Sequence, residues 1–401
     1  MKAQSIVCIG QTPWKGDFQR PAVQLLTELA QHYRVLYVDY QYTAKDAVVH
    51  WLGGQKVPMQ KILKSEGALE KLTLDNGEEI HIWTPPVMVP INSLPNALHD
   101  RMLQVNSKRM LRGLRPVLQQ LGMPNPIVIN AFHPVYGVAL MGKLDELATI
   151  YYCFDEITAE SWMARHGTRY EPVYLRDVDA VVTTSETLRM AKSKLQPASY
   201  TVKNGANFDL FRQAHALREQ RPESTKTVGY LGTADNRLDL SLLEHCVQQL
   251  SDVRFQFLGP VNHPDLVKQL GHYPNVEFIS PKEPNELPEY MARMDVGIIP
   301  FVRNEHTYTI YPLKINEYLA AGMSVVSTKF SLLDDFEGLI RLANAPEQFA
   351  EALRAALDEN DPALTQRRIQ TAEANSWAHR AEEFEQVIKK TINRRGWAAS
   401  V

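Results

Sequence analysis

The densest run of residues able to do chemistry is Tyr308–Thr328, YTIYPLKINEYLAAGMSVVST. Lys314 and Glu317 stand three apart, so on a helix they share a face. Pro312 suits the first turn of that helix, where a missing N–H costs nothing. Gly322 suits its C-terminal end. The spacing predicts a helix over Leu313–Ala321 and a buried strand over Val325–Thr328. A helix start offers free backbone N–H groups and a positive dipole end, a natural seat for phosphate. A lysine beside it can neutralise a diphosphate leaving group, and a glutamate one turn further can accept hydrogen bonds from two ribose hydroxyls. The same spacing equally fits a surface i, i+3 ion pair, and spacing alone leaves both readings open.

Other polar residues stand where strands end. Gly16 lies in the loop after the first predicted strand, where a glycine lets backbone approach a phosphate or sugar, or simply turns the chain. Arg237 follows Tyr230-Leu231-Gly232-Thr233. His133 follows PIVINA, and Asp155 and Glu156 follow TIYYCF. Each of these three is a candidate acceptor-binding group or general base. Against that, His133 fits a capping or packing histidine before Pro134, and the two acids fit a helix N-terminus. Asp177-Val178-Asp179 spells D-x-D, a pattern that binds metal–diphosphate from a short loop after a strand. Here it follows a helix and precedes a buried strand, so a helix-to-strand junction is expected. No His/Cys cluster points to a metal, and neither a metal nor a cofactor is expected.

The elements that must position these residues alternate. Short apolar runs at Ser5–Gly10, Arg34–Asp39, Ile80–Thr84, Pro126–Ala131, Thr149–Phe154, Ala180–Thr184 and Ser199–Val202 are separated by amphipathic stretches such as Pro21–His32. The pattern restarts at Thr227–Leu231 and runs through Val253–Leu258, Val276–Ile279, Val296–Pro300 and Val325–Thr328. Apolar strands separated by helices imply parallel sheets covered on both faces. Phe208–Lys226 is polar, lacks a clear apolar period, and reads as the link between two halves. With 401 residues, two domains are the default. The expected architecture is α/β: two doubly wound Rossmann-like domains facing each other across a cleft, with ligands beyond the strand carboxyl ends. The expected bounds are 1–205 and 206–375, with the last helix, about 376–401, packing back on the first domain.

In this setting the Tyr308–Thr328 run resembles the nucleotide-sugar signature of GT-B glycosyltransferases. It is most similar to the GT4-like bacterial enzymes, including those of the teichuronic-acid and exopolysaccharide type, which carry P-L-K-x-x-E-Y-L-A-x-G-x-P-V-V. Ser324 stands where proline is usual. Pro13–Arg20, Val181–Glu186, Val202–Gly205, Val228–Asp239, Leu287–Phe301 and Ser376-Trp377 resemble further family segments in the right order. The resemblance implies a metal-independent hexosyltransferase that takes a sugar from a nucleoside-diphosphate donor, UDP favoured, to a saccharide or lipid-linked acceptor in bacterial surface polysaccharide synthesis. It also implies retention of configuration. It assigns Glu317 to the donor ribose and Arg237 with Lys314 to the diphosphate. Gly16, Gly232, Thr233, Lys282, Thr309 and Tyr311 fall in its donor-binding segments, with base contacts expected from Ser280–Lys282. The family's first glutamate of an E-x7-E pair would fall at Thr309, where this chain has no acid. An inactive scaffold subunit of the same fold, or a sugar-nucleotide epimerase, is the alternative.

A net charge of -3 argues against a nucleic-acid partner, and no run approaches the ~18 apolar residues of a membrane span. Cys8, Cys153 and Cys246 form no metal or disulfide pattern. Together these read as a cytoplasmic protein. Ala97–Leu121 reads as one long helix. Arg101, Lys108, Arg112 and Arg115 fall within roughly 60° of one another on it, opposite Leu103, Met110, Leu114, Val117 and Leu121. That basic face is either simply solvated or a seat for anionic lipid at the inner face of the plasma membrane. Lys389, Lys390, Arg394, Arg395 and Trp397 are possible additions to it.

Overall fold

A computed structural model describes residues 2, 4–15, 20–54, 56–159, 161–220 and 225–396. Gly16 and Trp397 lie outside the described residues. The chain forms two compact units. The N-terminal unit holds Arg20–Val202, the strand before them, and the chain from Ala381 onward; the C-terminal unit holds Lys203–Arg380.

The N-terminal unit is built on eight strands: β1 (Ser5–Ile9), β2 (Arg34–Val38), β3 (Ala68–Thr73), β4 (Glu79–Thr84), β5 (Ile127–Ala131), β6 (Ala148–Cys153), β7 (Ala180–Thr183) and β8 (Ser199–Thr201). Their order is β3-β4-β2-β1-β5-β6-β7-β8, all parallel except β3 on β4. β1, β5, β6 and β7 are buried at every residue, as apolar runs sandwiched between helices must be. β3 was not expected. Its ALEKLT sequence carries Glu70 and Lys71 and is half exposed, which suits an antiparallel edge and hides any apolar period.

The helices of this unit are α1 (Pro21–Leu29), α2 (Ala44–Trp51), α3 (Met59–Ile62), α4 (Asn96–Gln120), α5 (Pro134–Leu140), α6 (Ser161–Asp177) and α7 (Glu186–Ser193). In α4, Leu103, Met110, Leu114 and Val117 are buried in the unit's core.

The C-terminal unit carries β9 (Thr227–Leu231), β10 (Arg254–Leu258), β11 (Val276–Ile279), β12 (Val296–Ile299), β13 (Ser324–Ser327) and the short edge strand β14 (Arg341–Leu342). The order β11-β10-β9-β12-β13-β14, with every pair parallel, is the 3-2-1-4-5-6 arrangement of a Rossmann sheet. Its switch point falls between β9 and β12.

The helices here are α8 (Phe208–Glu219), α9 (Leu240–Gln249), α10 (Leu266–Leu270), α11 (Leu287–Met291), α12 (Glu305–Tyr308), α13 (Leu313–Ala320), α14 (Pro346–Leu357) and α15 (Pro362–Ala374). α8 corrects the expectation of a linker. Asn207 caps it by accepting the Leu210 N–H, and Leu210, Phe211 and Ala214 are buried. Three buried residues in twelve leave little period to read.

The last helix, α16 (Trp377–Arg394), begins at the end of the C-terminal unit. From Ala381 it belongs to the N-terminal unit, where Phe384 meets the Tyr152 ring edge-on at 5.7 Å.

Candidate functional site

At the switch point of the C-terminal unit, β9 ends in Gly232, whose φ of 115° only glycine adopts readily. Its N–H donates to the Leu258 carbonyl at 2.8 Å. A side chain at neighbouring Gly259 (φ 135°) would begin 2.6 Å from the Gly232 carbonyl oxygen, so the turns after β9 and β10 touch through backbone. Beside them stands α13. It starts at Leu313 as expected and ends one residue earlier, at Ala320: Pro312 is the N-cap, extended at ψ 103°, and no side chain caps the helix. The first-turn N–H groups therefore lack a capping side chain.

The helix is pinned by Tyr318. Its hydroxyl accepts the Leu231 N–H at 2.8 Å, and its ring fills the space over Gly297, where a Cβ would sit 2.6 Å away. Gly322, at φ 66°, ends the helix, and its N–H donates to Leu319.

These constraints fix Lys314 and Glu317. Lys314 lies along Gly232, so closely that an added Cβ there would be 2.5 Å from its Cε. Its ammonium is 5.4 Å from the centre of the Tyr230 ring and 5.9 Å from that of Phe301. The Arg237 guanidinium sits 5.3 Å over the same Phe301 ring. Burial pulls the Lys314 pKa down and Arg237 adds to this; Glu317 and Asp235 oppose. Glu317 is 7% exposed. Burial pushes its carboxyl up, against the pull of Lys314. A cation and a carboxylate are thus held, largely desolvated, beside an uncapped helix start and a glycine turn. Such a pair attracts a ligand that carries both anionic and hydroxyl groups.

Arg237, expected with Lys314 at the diphosphate, has a partner of its own. It grips Asp235 through two hydrogen bonds of 2.8 and 2.6 Å, which offsets part of its charge. Asp235 was missed, although it stands two residues away in the same loop. Thr233 follows in this turn, and its carbonyl accepts the Tyr230 hydroxyl at 2.9 Å. Thr309 closes α12, and its hydroxyl donates to the His306 carbonyl at 2.7 Å. Tyr311 is taken up in packing: it is buried, its ring lies 5.8 Å from Phe336, and its hydroxyl accepts from Asn316 at 3.4 Å. Lys282 follows β11 with its ammonium 5.2 Å over the Tyr290 ring.

In the N-terminal unit the switch point lies between β1 and β5. After β5, Phe132 adopts a left-handed φ of 58°, a strained state for a bulky residue. Asn130 clamps the turn by accepting the His133 N–H at 2.7 Å and donating to the His133 carbonyl at 2.9 Å. His133 then begins α5, its ring edge-on to Tyr136 at 4.8 Å. Its Nδ1 is buried without a partner, and burial draws its pKa down to about 4. The imidazole is neutral at physiological pH. Glu156 is committed elsewhere. It pairs with Lys192 at 3.2 Å, and Lys192 pairs with buried Glu171 at 2.8 Å. Asp155 accepts the Glu156 N–H at 2.7 Å.

Asp179 of the D-V-D run accepts from the Thr149 N–H and hydroxyl, both at 2.7 Å, and from Arg395 at 2.7 Å. It ties β6, the start of β7 and the chain's last turn together. No group of three or more metal-ligating side chains occurs among the described residues.

A second set of residues was missed. Gln11, Thr12, Pro13, Tyr40, Tyr42, Asp46 and Val57 line a cavity of about 210 Å³, most of it at the carboxyl ends of β1 and β2. Buried Asp39 orders its wall by accepting the Trp14 N–H at 2.8 Å. The rule that ligands bind beyond strand ends points to YVDYQY as well as to the other loops that follow strands.

On α4, Arg101, Lys108, Arg112 and Arg115 are all exposed. The Arg115 guanidinium donates to the Lys143 carbonyl at 2.8 Å. Asp100, the acid of this helix, is paired with Arg169 at 2.7 Å. No helix among the described residues is long and apolar enough to cross a membrane.

Residues 225–359 match the family described as Glycosyl transferases group 1. A putative teichuronic acid biosynthesis glycosyltransferase, TuaH of Bacillus subtilis, is 29% identical over 163 residues, 38% of this chain. The match spans only 41% of that relative's length. Among solved structures, sucrose-phosphate synthase of Thermosynechococcus elongatus aligns with a TM-score of 0.70 at 15% identity, over 98% of this chain and 100% of that one. A trehalose-phosphate synthase of Burkholderia vietnamiensis gives 0.68 at 13%, over 99% and 98%. Anabaena HepE in complex with UDP and glucose gives 0.62 at 12%, over 96% and 99%. The fold is GT-B.

Proposed function

From a chain that carries a group 1 glycosyl transferase domain at residues 225–359, we propose a glycosyltransferase that moves a sugar from a nucleoside-diphosphate donor to a saccharide or lipid-linked acceptor. The observation that carries this reading is the pair of half-buried Lys314, lying along Gly232, and buried Glu317, at the start of an uncapped helix. Glu317 accepts hydrogen bonds from the ribose hydroxyls. Lys314, with Arg237 behind it, faces the diphosphate, and Gly232 and Thr233 let backbone approach it. Lys282 stands at the base. UDP is the favoured nucleotide, in keeping with the ligand of the HepE structure. The likeness to TuaH favours an acceptor in bacterial surface polysaccharide synthesis.

The step balances without a metal. The acceptor oxygen bonds to the anomeric carbon as the bond from that carbon to the β-phosphate oxygen breaks. The acceptor proton passes to the departing diphosphate on the same face, which gives retention. Charge growing on the diphosphate is what a desolvated lysine and open helix N–H groups stabilise most. His133, neutral and fixed by its strained turn, is an acceptor-side hydrogen-bonding group rather than a cation. The exposed basic face of α4 supplies attraction to anionic lipid, about 1 kcal/mol per side chain near the surface.

The test is UDP release from a panel of UDP-sugars, with and without EDTA. Turnover that survives EDTA supports the reading. A protein that releases no nucleotide from any donor, or works only after Mn²⁺ or Mg²⁺ is returned, contradicts it.

A further inference from the structure

Helix α2 breaks the rule that a helix of a globular unit buries its apolar stripe. None of its residues is buried. Lys45, Val48, Val49 and Leu52 recur at i, i+3, i+4 and i+7, the spacing that gathers them on one face. That face is in solvent. Trp51 is 83% exposed, Leu52 71% and Val48 56%; Leu63, just after α3, is 69% exposed.

The corner is nonetheless firmly built. A capping box between Thr43 and Asp46 starts α2, and the His50 Nδ1 accepts the Val57 N–H at 3.2 Å. Val57 and Ile62 are buried against Tyr42 beneath it. The apolar side chains are held outward by packing from below.

We propose that this corner is a lipid-docking tip: Trp51, Leu52 and Leu63 enter the interfacial layer of an anionic bilayer. The exposed Lys45, Lys56 and Lys64 meet its headgroups. Tryptophan is enriched at the boundary between hydrocarbon and water, and lysines near an anionic leaflet add attraction. Lysine is depleted from protein–protein interfaces, so three exposed lysines in the same stretch, 45–64, favour lipid over a protein partner. Asp46, the acid within α2, is spent in its capping box, and Lys61 is paired with Glu70 at 2.6 Å, so the local field is set by the three lysines against Glu66. The tip differs from the basic face of α4, whose exposed apolar side chains are Leu98 and Val105, at 44% and 47%, with no tryptophan among them. Asp46 and Val57 also line the cavity beyond β1 and β2. Docking would hold that cavity at the bilayer surface, within reach of a lipid-linked acceptor. This last consequence rests on the transferase reading; the docking itself does not.

The test is co-sedimentation of the full chain with phosphatidylcholine vesicles, with and without phosphatidylglycerol, at low and high salt. It includes a Trp51→Ser, Leu52→Ser, Leu63→Ser variant and a variant with the four α4 cations changed to Gln. All three positions are exposed, so the triple variant keeps its circular dichroism and melting point. Wild type binds phosphatidylglycerol vesicles and retains some binding at high salt, whereas the triple variant loses on the order of tenfold. Brominated lipid quenches tryptophan emission in wild type and not in Trp51→Phe. The proposal is overturned if wild type ignores anionic vesicles, if the triple variant binds as well as wild type, or if quenching persists in Trp51→Phe. Concentration-dependent dimerisation that the triple variant abolishes would assign the tip to a second copy instead. Vesicle binding without nucleotide release leaves the docking intact and removes the transferase reading.

Discussion

Replacing Gly232 by alanine perturbs the candidate donor site without replacing a charged group. The new Cβ would stand 2.5 Å from the Lys314 Cε and 3.0 Å from its Nζ. The backbone there is at φ 115°, and holding an alanine in that region costs about 1–3 kcal/mol of stability. The overlap is with the end of a flexible chain, so Lys314 moves rather than the turn. If Lys314 makes a charge-assisted bond to the diphosphate, its displacement costs about 1.5–3 kcal/mol. That weakens binding roughly 10- to 150-fold. Calorimetric titration of UDP into wild type, Gly232→Ala, Lys314→Ala and the double variant separates this from a general loosening. In the Lys314→Ala background the glycine change has little left to remove, so its effect shrinks to a few-fold. Wild-type affinity in a folded Gly232→Ala protein would refute the reasoning, as would an equal loss in both backgrounds.

Two further outcomes bear on stability. Phe211→Ala, in the α8 that reads as a linker, removes a side chain 1% exposed in the C-terminal core; it should cost about 3–5 kcal/mol in urea unfolding, and a neutral change would return 208–219 to the status of a connector. His133 stays neutral in the fold down to about pH 4, while the unfolded chain protonates it near 6.5. Its contribution is therefore fully present above about pH 6.5 and is lost as pH falls toward 4, at up to about 1.4 kcal/mol per pH unit. Urea midpoints across that range should flatten in His133→Gln, and an unchanged slope would show that burial of His133 is not the cause.

The strand alternation was legible because β1, β5, β6, β9 and β12 are buried from end to end, which leaves uninterrupted apolar runs. β3 was not, because an antiparallel edge strand exposes Glu70 and Lys71 and looks like a loop. α8 was not, because it buries only a narrow stripe. The three-residue spacing of Lys314 and Glu317, after a proline and before a glycine, made their shared helix legible; their assignment to a donor site came from the resemblance, since spacing alone fitted a surface ion pair equally. What spacing could not carry was pairing. The Asp235–Arg237 clasp and the Lys192 bridge to Glu156 and Glu171 depend on how far a side chain bends or on residues distant in sequence. The cavity walled by Tyr40 and Tyr42 follows from two strands ending together, a neighbour relation that no single segment encodes. The exposed side of α2 is the converse case: Val48, Trp51 and Leu52 are residue types that a helix ordinarily buries, and only the fold shows them left 56%, 83% and 71% exposed among the described residues.

The central claim is that the Lys314–Glu317 helix holds a nucleoside diphosphate, and one measurement tests it most directly. UDP, GDP, ADP and CMP are titrated calorimetrically into wild type and Glu317→Ala, with the fold of the variant checked by circular dichroism. The account predicts that one diphosphate, UDP first, binds wild type and that Glu317→Ala loses about 2–3 kcal/mol of that binding, the worth of hydrogen bonds to a charged group. An intact variant that binds the same nucleotide as tightly as wild type would contradict it.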